Sequence, residues 1–282
     1  MTTAVAPSTR LPTGETVPVL GMGTWHLAED RRRRKTEITA LQLGIDLGMS
    51  VIDTAEMYGN GAAEQLVGEA IDGRRDEVFL VSKVLPNHAS RHETVAACEG
   101  SLRRLRTDHL DMYLLHWRGP TPLEQTVDAF TTLMHDGKIA HWGVSNFDVA
   151  DMDELMQVPG GSAVATNQVL YNLGHRGIEW DLLPWCRARH IPIMAYSPIQ
   201  QGRLLTQPVV RRVAARHDAS PAEIALAWVI RQDGVIAIPQ AGTPEHVRED
   251  HHALDVHLTK DDLRELNEVF PPPTAKQELD VI

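Results

Sequence analysis

The sequence predicts an α/β fold, a (β/α)8 TIM barrel that forms one domain from residue 1 to residue 282. Apolar runs of strand length alternate with helix-length amphipathic stretches, which is typical of parallel βαβ units. Eight such runs can be counted, the number that closes a parallel barrel. No segment has the composition of a linker that would divide the chain. An open, doubly wound sheet is the alternative arrangement.

The order of the elements follows from apolar periodicity and from glycine and proline signals. A short β-hairpin is expected over residues 10–19, ahead of the barrel. The predicted strands are residues 19–24, 50–53, 78–83, 110–115, 139–144, 163–168, 191–196 and 235–238. The predicted helices are residues 35–47, 62–71, 91–105, 123–135, 149–156, 178–189 and 209–217, with extra helices near the C-terminus after Ser220-Pro221 and from Pro244. The tail from Pro271 onward contains three consecutive prolines, so it is expected to wrap the surface without forming a helix.

Composition excludes several classes of function. The 27 Lys and Arg residues against 38 Asp and Glu residues give a net charge of -11, which disfavours general binding of nucleic acid or anionic membranes. Cys98 and Cys186 are too few for a disulfide framework or a cysteine zinc site. The first ten residues lack the apolar segment of a secretory signal, and no apolar run is long enough to span a bilayer. We expect a cytoplasmic monomer or weak dimer that binds a small molecule.

Polar side chains follow three consecutive predicted strands. Asp53, Lys83 and His116 each come at the carboxyl end of an apolar run, where the active sites of barrels lie. Tyr58 follows Asp53 by one short loop and can reach the same mouth. Each residue alone is more often a loop or core residue, but the convergence of all four is less expected by chance. The four side chains suit carbonyl reduction, in which a phenol donates a proton, an ammonium lowers the pKa of that phenol, and an imidazole orients the carbonyl oxygen.

Five segments together resemble the aldo-keto reductase family, in the order in which that family carries its signatures. They are Gly21-Met22-Gly23-Thr24-Trp25, Asp53-Thr54-Ala55-Glu56-Met57-Tyr58-Gly59, Leu114-Leu115-His116-Trp117, Gly143-Val144-Ser145-Asn146-Phe147 and Ala195-Tyr196-Ser197-Pro198. The chain is most similar to bacterial reductases of methylglyoxal and diketogulonate-like carbonyls. The resemblance implies that Tyr58 is the general acid, that Lys83 and Asp53 tune it, and that His116 orients the substrate. It also implies that small aldehydes or ketones, and keto-sugar acids as a further class, are reduced.

The same resemblance implies a nicotinamide cofactor bound in an extended form. Ser145, Asn146 and Gln168 would bind the carboxamide, and Tyr196 would stack on the ring. The full implied set is Gly23, Thr24, Ser145, Asn146, Gln168, Tyr196, Ser197, Pro198, Gly202, Ile238, Pro239, Gln240, Ala241, Gly242, Thr243, His246, Glu249 and Asp250. The chain lacks the glycine pattern of a Rossmann dinucleotide site.

Cofactor preference depends on two of these positions. NADPH-dependent relatives commonly carry a lysine where Gln240 stands and an arginine where His246 stands. We therefore expect weakened discrimination, with NADP(H) preferred and NAD(H) usable. Asp250 stands where an asparagine commonly lies next to the adenine.

The substrate pocket is expected to use Trp25, Met57 and Trp117, whereas Trp142 is more readily explained as a packing residue. No metal is expected, because the histidines at 251, 252 and 257 lack ligand spacing. The basic run at residues 31–35 is interpreted as a solvated face.

Two other functions remain open from sequence. One is a barrel aldolase that uses Lys83 as a Schiff base. It would leave Tyr58 and the Ser145-Asn146 pair unexplained. The other is a non-catalytic cofactor-binding subunit, against which the intact set of four residues argues.

Overall fold

Eight parallel strands form a barrel in the order in which they occur in the chain, as predicted. The structure, a computed structural model, describes residues 7–282. The hairpin strands are β1 (Ser8–Arg10) and β2 (Thr16–Pro18). The barrel strands are β3 (Met22–Gly23), β4 (Val51–Asp53), β5 (Phe79–Val84), β6 (Leu110–Leu115), β7 (Ile139–Ser145), β8 (Asn167–Leu170), β9 (Ile193–Tyr196) and β10 (Val235–Ala237).

Helices follow the strands and surround the barrel. They are α1 (Arg34–Asp46), α2 (Ala62–Ala70), α3 (Arg91–Leu105), α4 (Leu123–His135), α5 (Val149–Gln157), α6 (Leu182–Arg187), α7 (Pro208–Arg216), α8 (Pro221–Ile230), α9 (Pro244–His252) and α10 (Lys260–Val269). None of the helices in residues 7–282 is both long enough and apolar enough to cross a membrane. The sequence start, on which the absence of a secretory signal was judged, includes residues 1–6, which lie outside the described residues.

The barrel closes where its first strand meets its last. The amide of Gly21 donates to the carbonyl of Ala237 at 2.8 Å, and the amide of Gly23 donates to that of Pro239 at 2.7 Å. A Cβ atom at Gly23 would lie 2.9 Å from the carbonyl oxygen of Ile238, so only glycine allows this approach. The loops after β3 and β10 are thereby held side by side.

The core has two parts because side chains alternate between the faces of each strand. One set of apolar side chains packs between the strands and the helices. The other set fills the barrel interior and includes Val81, Met112 and Met194. Leu11 and Val17 belong to the interior set, so the hairpin closes the amino-terminal end of the barrel. The opposite end, where the strands finish, holds the cavity described below.

Several predicted boundaries differ from the structure. The prediction of a strand over residues 163–168 was wrong, because a 3-10 turn occupies Gly161–Ala163 and β8 starts at Asn167. The prediction of one helix over residues 178–189 was also wrong, since a 3-10 turn precedes the shorter α6. No bounds were predicted from the sequence for helix α10.

The tail after α10 follows the surface without forming a helix, as predicted. Leu279 packs against the core, and the carboxylate of Asp280 lies 2.9 Å from Nδ1 of His175.

Candidate active site

The ammonium of Lys83 lies at the centre of the predicted catalytic group. Its Nζ donates to Oδ2 of Asp53 at 2.6 Å, to the carbonyl of Thr54 at 2.9 Å and to the hydroxyl of Tyr58 at 3.1 Å. The side chain is fully buried, and Lys83 is the last residue but one of β5. Burial lowers the pKa of Lys83, but the charge of Asp53 and the oxygen of Tyr58 outweigh burial and hold it above the ordinary value. The lysine therefore keeps its positive charge.

The carboxylate of Asp53 is fixed on both sides. One oxygen accepts from Lys83, and the other accepts from Nε2 of Gln168 at 2.7 Å. The backbone carbonyl of the same residue accepts from the hydroxyl of Thr24 at 3.0 Å. Strands β3, β4, β5 and β8 thus meet at this residue, and its position is set by the barrel itself.

Tyr58 begins a tight turn that folds back over the strand ends. The turn is possible because Gly59 and Asn60 adopt the left-handed backbone conformation, with φ of 56° and 53°. Burial raises the pKa of Tyr58, while the Lys83 ammonium lowers it and the Asp53 charge raises it, and the net direction is upward. The expectation that Lys83 makes this phenol more acidic than usual is therefore wrong for the net effect. The hydroxyl keeps its proton over the whole neutral range.

His116 faces Tyr58, with a ring-to-ring distance of 5.9 Å and an interplanar angle of 73°. Burial and the nearby Lys83 charge lower the pKa of His116 to about 2, so the imidazole is neutral. Its Nδ1 is buried and has no hydrogen-bond partner among residues 7–282. A buried N–H without an acceptor is rare, which assigns the proton to Nε2. The ring can therefore donate one hydrogen bond from Nε2.

A second polar group lies beside the catalytic group, at the ends of β7, β8 and β9. The Ser145 hydroxyl donates to the carbonyl of Gln168 at 2.8 Å, and the Tyr196 hydroxyl donates to Oδ1 of Asn146 at 2.9 Å. Asn146 and Ser197 both have positive φ, at 58° and 48°. These strained positions turn the chain sharply at the strand ends and aim the side chains over the barrel mouth.

One continuous cavity of about 470 Å³ connects these groups. Trp25, Met57 and Trp117, the predicted substrate residues, line it beside Tyr58 and His116. The predicted cofactor residues that line it are Gly23, Ser145, Asn146, Gln168, Tyr196, Ser197, Pro198, Gly202, Ile238, Gln240 and His246. Its far end is thus formed by the segment that leads into α9.

Other predicted residues lie outside the cavity lining. Lys83 is buried behind Asp53 and Tyr58, both of which line the cavity. The predicted cofactor residues that do not line it are Thr24, Pro239, Ala241, Gly242, Thr243, Glu249 and Asp250. Trp142 is buried in the core and stacks on Phe130 at 5.3 Å, as its packing interpretation requires.

Ile199 and Gln201, in the loop that follows the predicted Ser197-Pro198, also line the cavity. Two further lining residues, His26 and Ile282, were not anticipated from sequence. His26 is the neighbour of Trp25 in the β3–α1 loop, with the two ring centres 4.2 Å apart, so its place next to a predicted pocket residue was a usable signal. Ile282 reaches the cavity only because the tail crosses the surface, and no local pattern indicates this. Among residues 7–282 no group of three side chains is arranged to hold a metal ion.

The barrel and the residues at its mouth define an oxidoreductase of the aldo-keto type. Residues 19–270 match the Aldo/keto reductase family, and the chain belongs to that family. It is 53% identical over 271 residues to methylglyoxal reductase YeaE of Escherichia coli strain K12, covering 94% of this chain and 95% of that protein. It is 31% identical to methylglyoxal reductase DkgB of Salmonella typhimurium, covering 88% and 91% of the two chains.

A solved structure has a similar fold. The crystal structure of an aldo-keto reductase from Klebsiella pneumoniae in complex with NADPH has a TM-score of 0.96 and 49% identity. The match covers 99% of this chain and 100% of that one. The predicted family and its subgroup are thereby confirmed.

Proposed function

We propose that this protein reduces small aldehydes and ketones, methylglyoxal among them, with NADPH as cofactor and Tyr58 as general acid. The observation that carries the proposal is the hydrogen bond of 3.1 Å between the Lys83 ammonium and the Tyr58 hydroxyl, at a cavity that His116 also lines. The named activity of the two methylglyoxal reductases supports the substrate class. Keto-sugar acids are a second class to be tested.

The cavity fits an extended nicotinamide cofactor. Its polar middle, at Ser145, Asn146 and Gln168, suits the carboxamide, and the ring of Tyr196 offers a flat surface for stacking. When bound, the reduced nicotinamide supplies the hydride. The Klebsiella reductase was solved with NADPH, which supports the same cofactor here.

Each catalytic side chain has a separate task in the proposal. Tyr58 donates its proton to the carbonyl oxygen as negative charge develops there. Lys83 stabilises the phenolate that remains, and Asp53 holds the ammonium in place. His116 donates from Nε2 to the same carbonyl oxygen and orients it. Trp25, Met57 and Trp117 offer apolar surface to the substrate beside Tyr58 and His116.

The aldolase alternative is disfavoured by the state of Lys83. A Schiff base forms from a neutral and accessible amine. Lys83 is fully buried, donates three hydrogen bonds and has a raised pKa. The raised pKa keeps the amine of Lys83 protonated, and a protonated amine cannot act as a nucleophile.

Purified protein mixed with NADPH and methylglyoxal tests the proposal directly. NADPH absorbance should fall with time, and a panel of aldehydes and keto-sugar acids then ranks the substrates. If NADPH binds but no carbonyl in the panel is consumed, the protein is a cofactor-binding subunit instead. The predictions of a cytoplasmic location and of a monomer or weak dimer form part of the proposal, and cell fractionation and gel filtration test them.

A further inference from the structure

The far end of the cavity has little positive charge on its own segment. Gln240 is neutral, and His246 is charged only when protonated. The permanent cation of residues 238–250 is Arg248, whose Nη1 donates to the carbonyl of Pro244 within its own helix. Neither Arg248 nor Arg33 lines the cavity itself, so the position of Arg33 is given by its contact with Gly242. NADPH differs from NADH only by a 2′-phosphate, so a preference for NADPH depends on the charges and donors around that phosphate.

Arg33 brings a cation to this end from the other side of the barrel seam. It is the residue just before α1, and α1 packs directly against α9. A Cβ atom built on Gly242 would lie 2.5 Å from Nη2 of Arg33 and 3.6 Å from its Cζ. Gly242 lies between Gln240 and His246 in sequence. The guanidinium therefore rests on the backbone of the segment that closes the cavity, in space that a side chain at 242 would occupy.

The donors of Arg33 are available to an anion. Its Nε lies 3.7 Å from Oε1 of Glu37, a buried carboxylate whose other oxygen accepts from the amide of Ala28 at 3.0 Å. The Arg33 side chain is 52% exposed, and its two Nη groups donate to no residue between 7 and 282. Glu37 thus tethers the guanidinium at one edge and leaves the outer edge free. A planar guanidinium presents paired N–H groups that match phosphate oxygens.

The two arginines next to Arg33 in the basic run pair with other residues. Arg32 is 90% exposed and pairs with Asp30 at 2.8 Å, as expected of a solvated face. Arg34 pairs with Glu69 on α2 at 3.0 Å. Of these three neighbouring arginines, Arg33 alone meets the α9 segment.

We propose that Arg33 binds the 2′-phosphate of NADP(H) and determines the preference for NADPH over NADH. The inference rests on the proposed function, because it presupposes that a nicotinamide dinucleotide occupies the cavity. The 2′-phosphate would lie beside the contact of α1 with α9, where Arg33 would bind it from the β3–α1 side of the seam. Arg33 supplies the fixed charge that Gln240 and His246 do not.

Equilibrium binding of both cofactors to the full-length protein tests the proposal. Quenching of tryptophan fluorescence reports binding, because Trp25 and Trp117 line the cavity. Arg33→Ala should raise the Kd for NADPH by about 10- to 100-fold, the range for loss of a charge-assisted hydrogen bond. The Kd for NADH should stay unchanged. Arg32→Ala is the matched control and should alter neither value.

A second variant separates recognition from a structural role. In the Arg33→Ala background, Gln240→Lys should restore part of the NADPH affinity without changing NADH affinity. Equal weakening of both cofactors by Arg33→Ala would show that Arg33 only stabilises the α1–α9 contact, and an unchanged NADPH Kd would show that it takes no part. Either result overturns the inference while NADPH binding by the unmodified protein leaves the proposed function standing. If the unmodified protein binds neither cofactor, both proposals fail.

Discussion

The two ends of the cavity are built on different principles. At the catalytic end, Lys83, Asp53 and Tyr58 are held by hydrogen bonds of 2.6–3.1 Å, and the ammonium has no contact with solvent. At the far end, Gln240 and His246 are exposed, and Arg33 is half exposed. Buried charges need fixed partners, whereas exposed charges are separately replaceable at small cost. The reaction therefore depends on a rigid group, and cofactor choice depends on side chains that can be exchanged one at a time.

The largest expected effect comes from the catalytic end. Tyr58→Phe removes the proton donor and keeps the ring, so kcat should fall by about 10²–10⁴-fold. The Kd for NADPH should stay nearly the same, because binding does not use this hydroxyl. Steady-state kinetics and a binding titration on the same preparation measure both. Full activity in the variant would show that another group is the acid.

Asp53→Asn tests whether the catalytic end works as one electrostatic unit. The Asp53 charge raises the pKa of Lys83 against burial, which lowers it. Without that charge the pKa of Lys83 falls, and the ammonium is lost at lower pH. The alkaline limit of kcat should therefore move down by at least about one pH unit, which corresponds to about 1.4 kcal/mol.

The same pair has a consequence for stability. Because the pKa of Lys83 is raised in the folded protein, the pair stabilises it fully below the ordinary value of 10.5 and loses that effect as pH rises through the folded value. For the test of kcat against pH with Asp53→Asn, Gln168→Met is the control, because it removes one hydrogen bond to Asp53 but no charge. A pH–kcat profile that is the same in Asp53→Asn and the unmodified protein would contradict the electrostatic coupling.

A smaller effect is expected from a new charge at the far end. The preference of the unmodified protein for NADPH, measured as kcat/KM, should lie below about 10³-fold, or some 4 kcal/mol. Gln240→Lys should tighten NADPH binding by about two- to fivefold, the range of an exposed ion pair, and leave NADH binding unchanged. Gln65→Lys adds the same charge on the exposed face of α2 and should change neither. A larger effect from the control would indicate long-range charge instead of a local contact.

The smallest effect concerns His246, which lines the cavity. His246→Arg places a permanent positive charge where NADPH-dependent relatives commonly carry an arginine. NADPH binding should tighten by about two- to threefold, within the range of an exposed ion pair, and NADH binding should stay unchanged. Equilibrium titration with both cofactors measures this, and an unchanged Kd for NADPH would exclude a contribution from position 246.

Much of the barrel could be predicted because the deciding signals are local. Strand β6 and helices α3 and α4 have the predicted bounds, since apolar runs and caps mark their ends. Helix α10 carried a usable signal as well, a capping box between Thr259 and Asp262. The start of β8 could not be read the same way, because residues 163–166 are apolar enough for a strand but are held in a turn and an extended segment by tertiary contacts.

The candidate site also has parts that local sequence signals indicate and parts that depend on tertiary contacts. Asp53, Lys83 and His116 could be located because a polar residue after an apolar strand must lie at the barrel mouth. The upward pKa of Tyr58 could not be foreseen, since it depends on how deeply the turn is buried. From the sequence, Arg33 was expected to lie on a solvated face. Its contact with Gly242 could not be foreseen, because it joins residues more than two hundred positions apart.

The closure of the barrel between Gly21–Gly23 and Ala237–Pro239 also affects synthesis of the chain. Until the last strand has left the ribosome, β3 and β9 are open sheet edges with unsatisfied amides and carbonyls. Such edges pair readily with other chains and favour aggregation. An incompletely synthesised barrel is therefore open to misassembly, and that exposure ends when β10 pairs with β9 and the barrel closes on Gly21–Gly23.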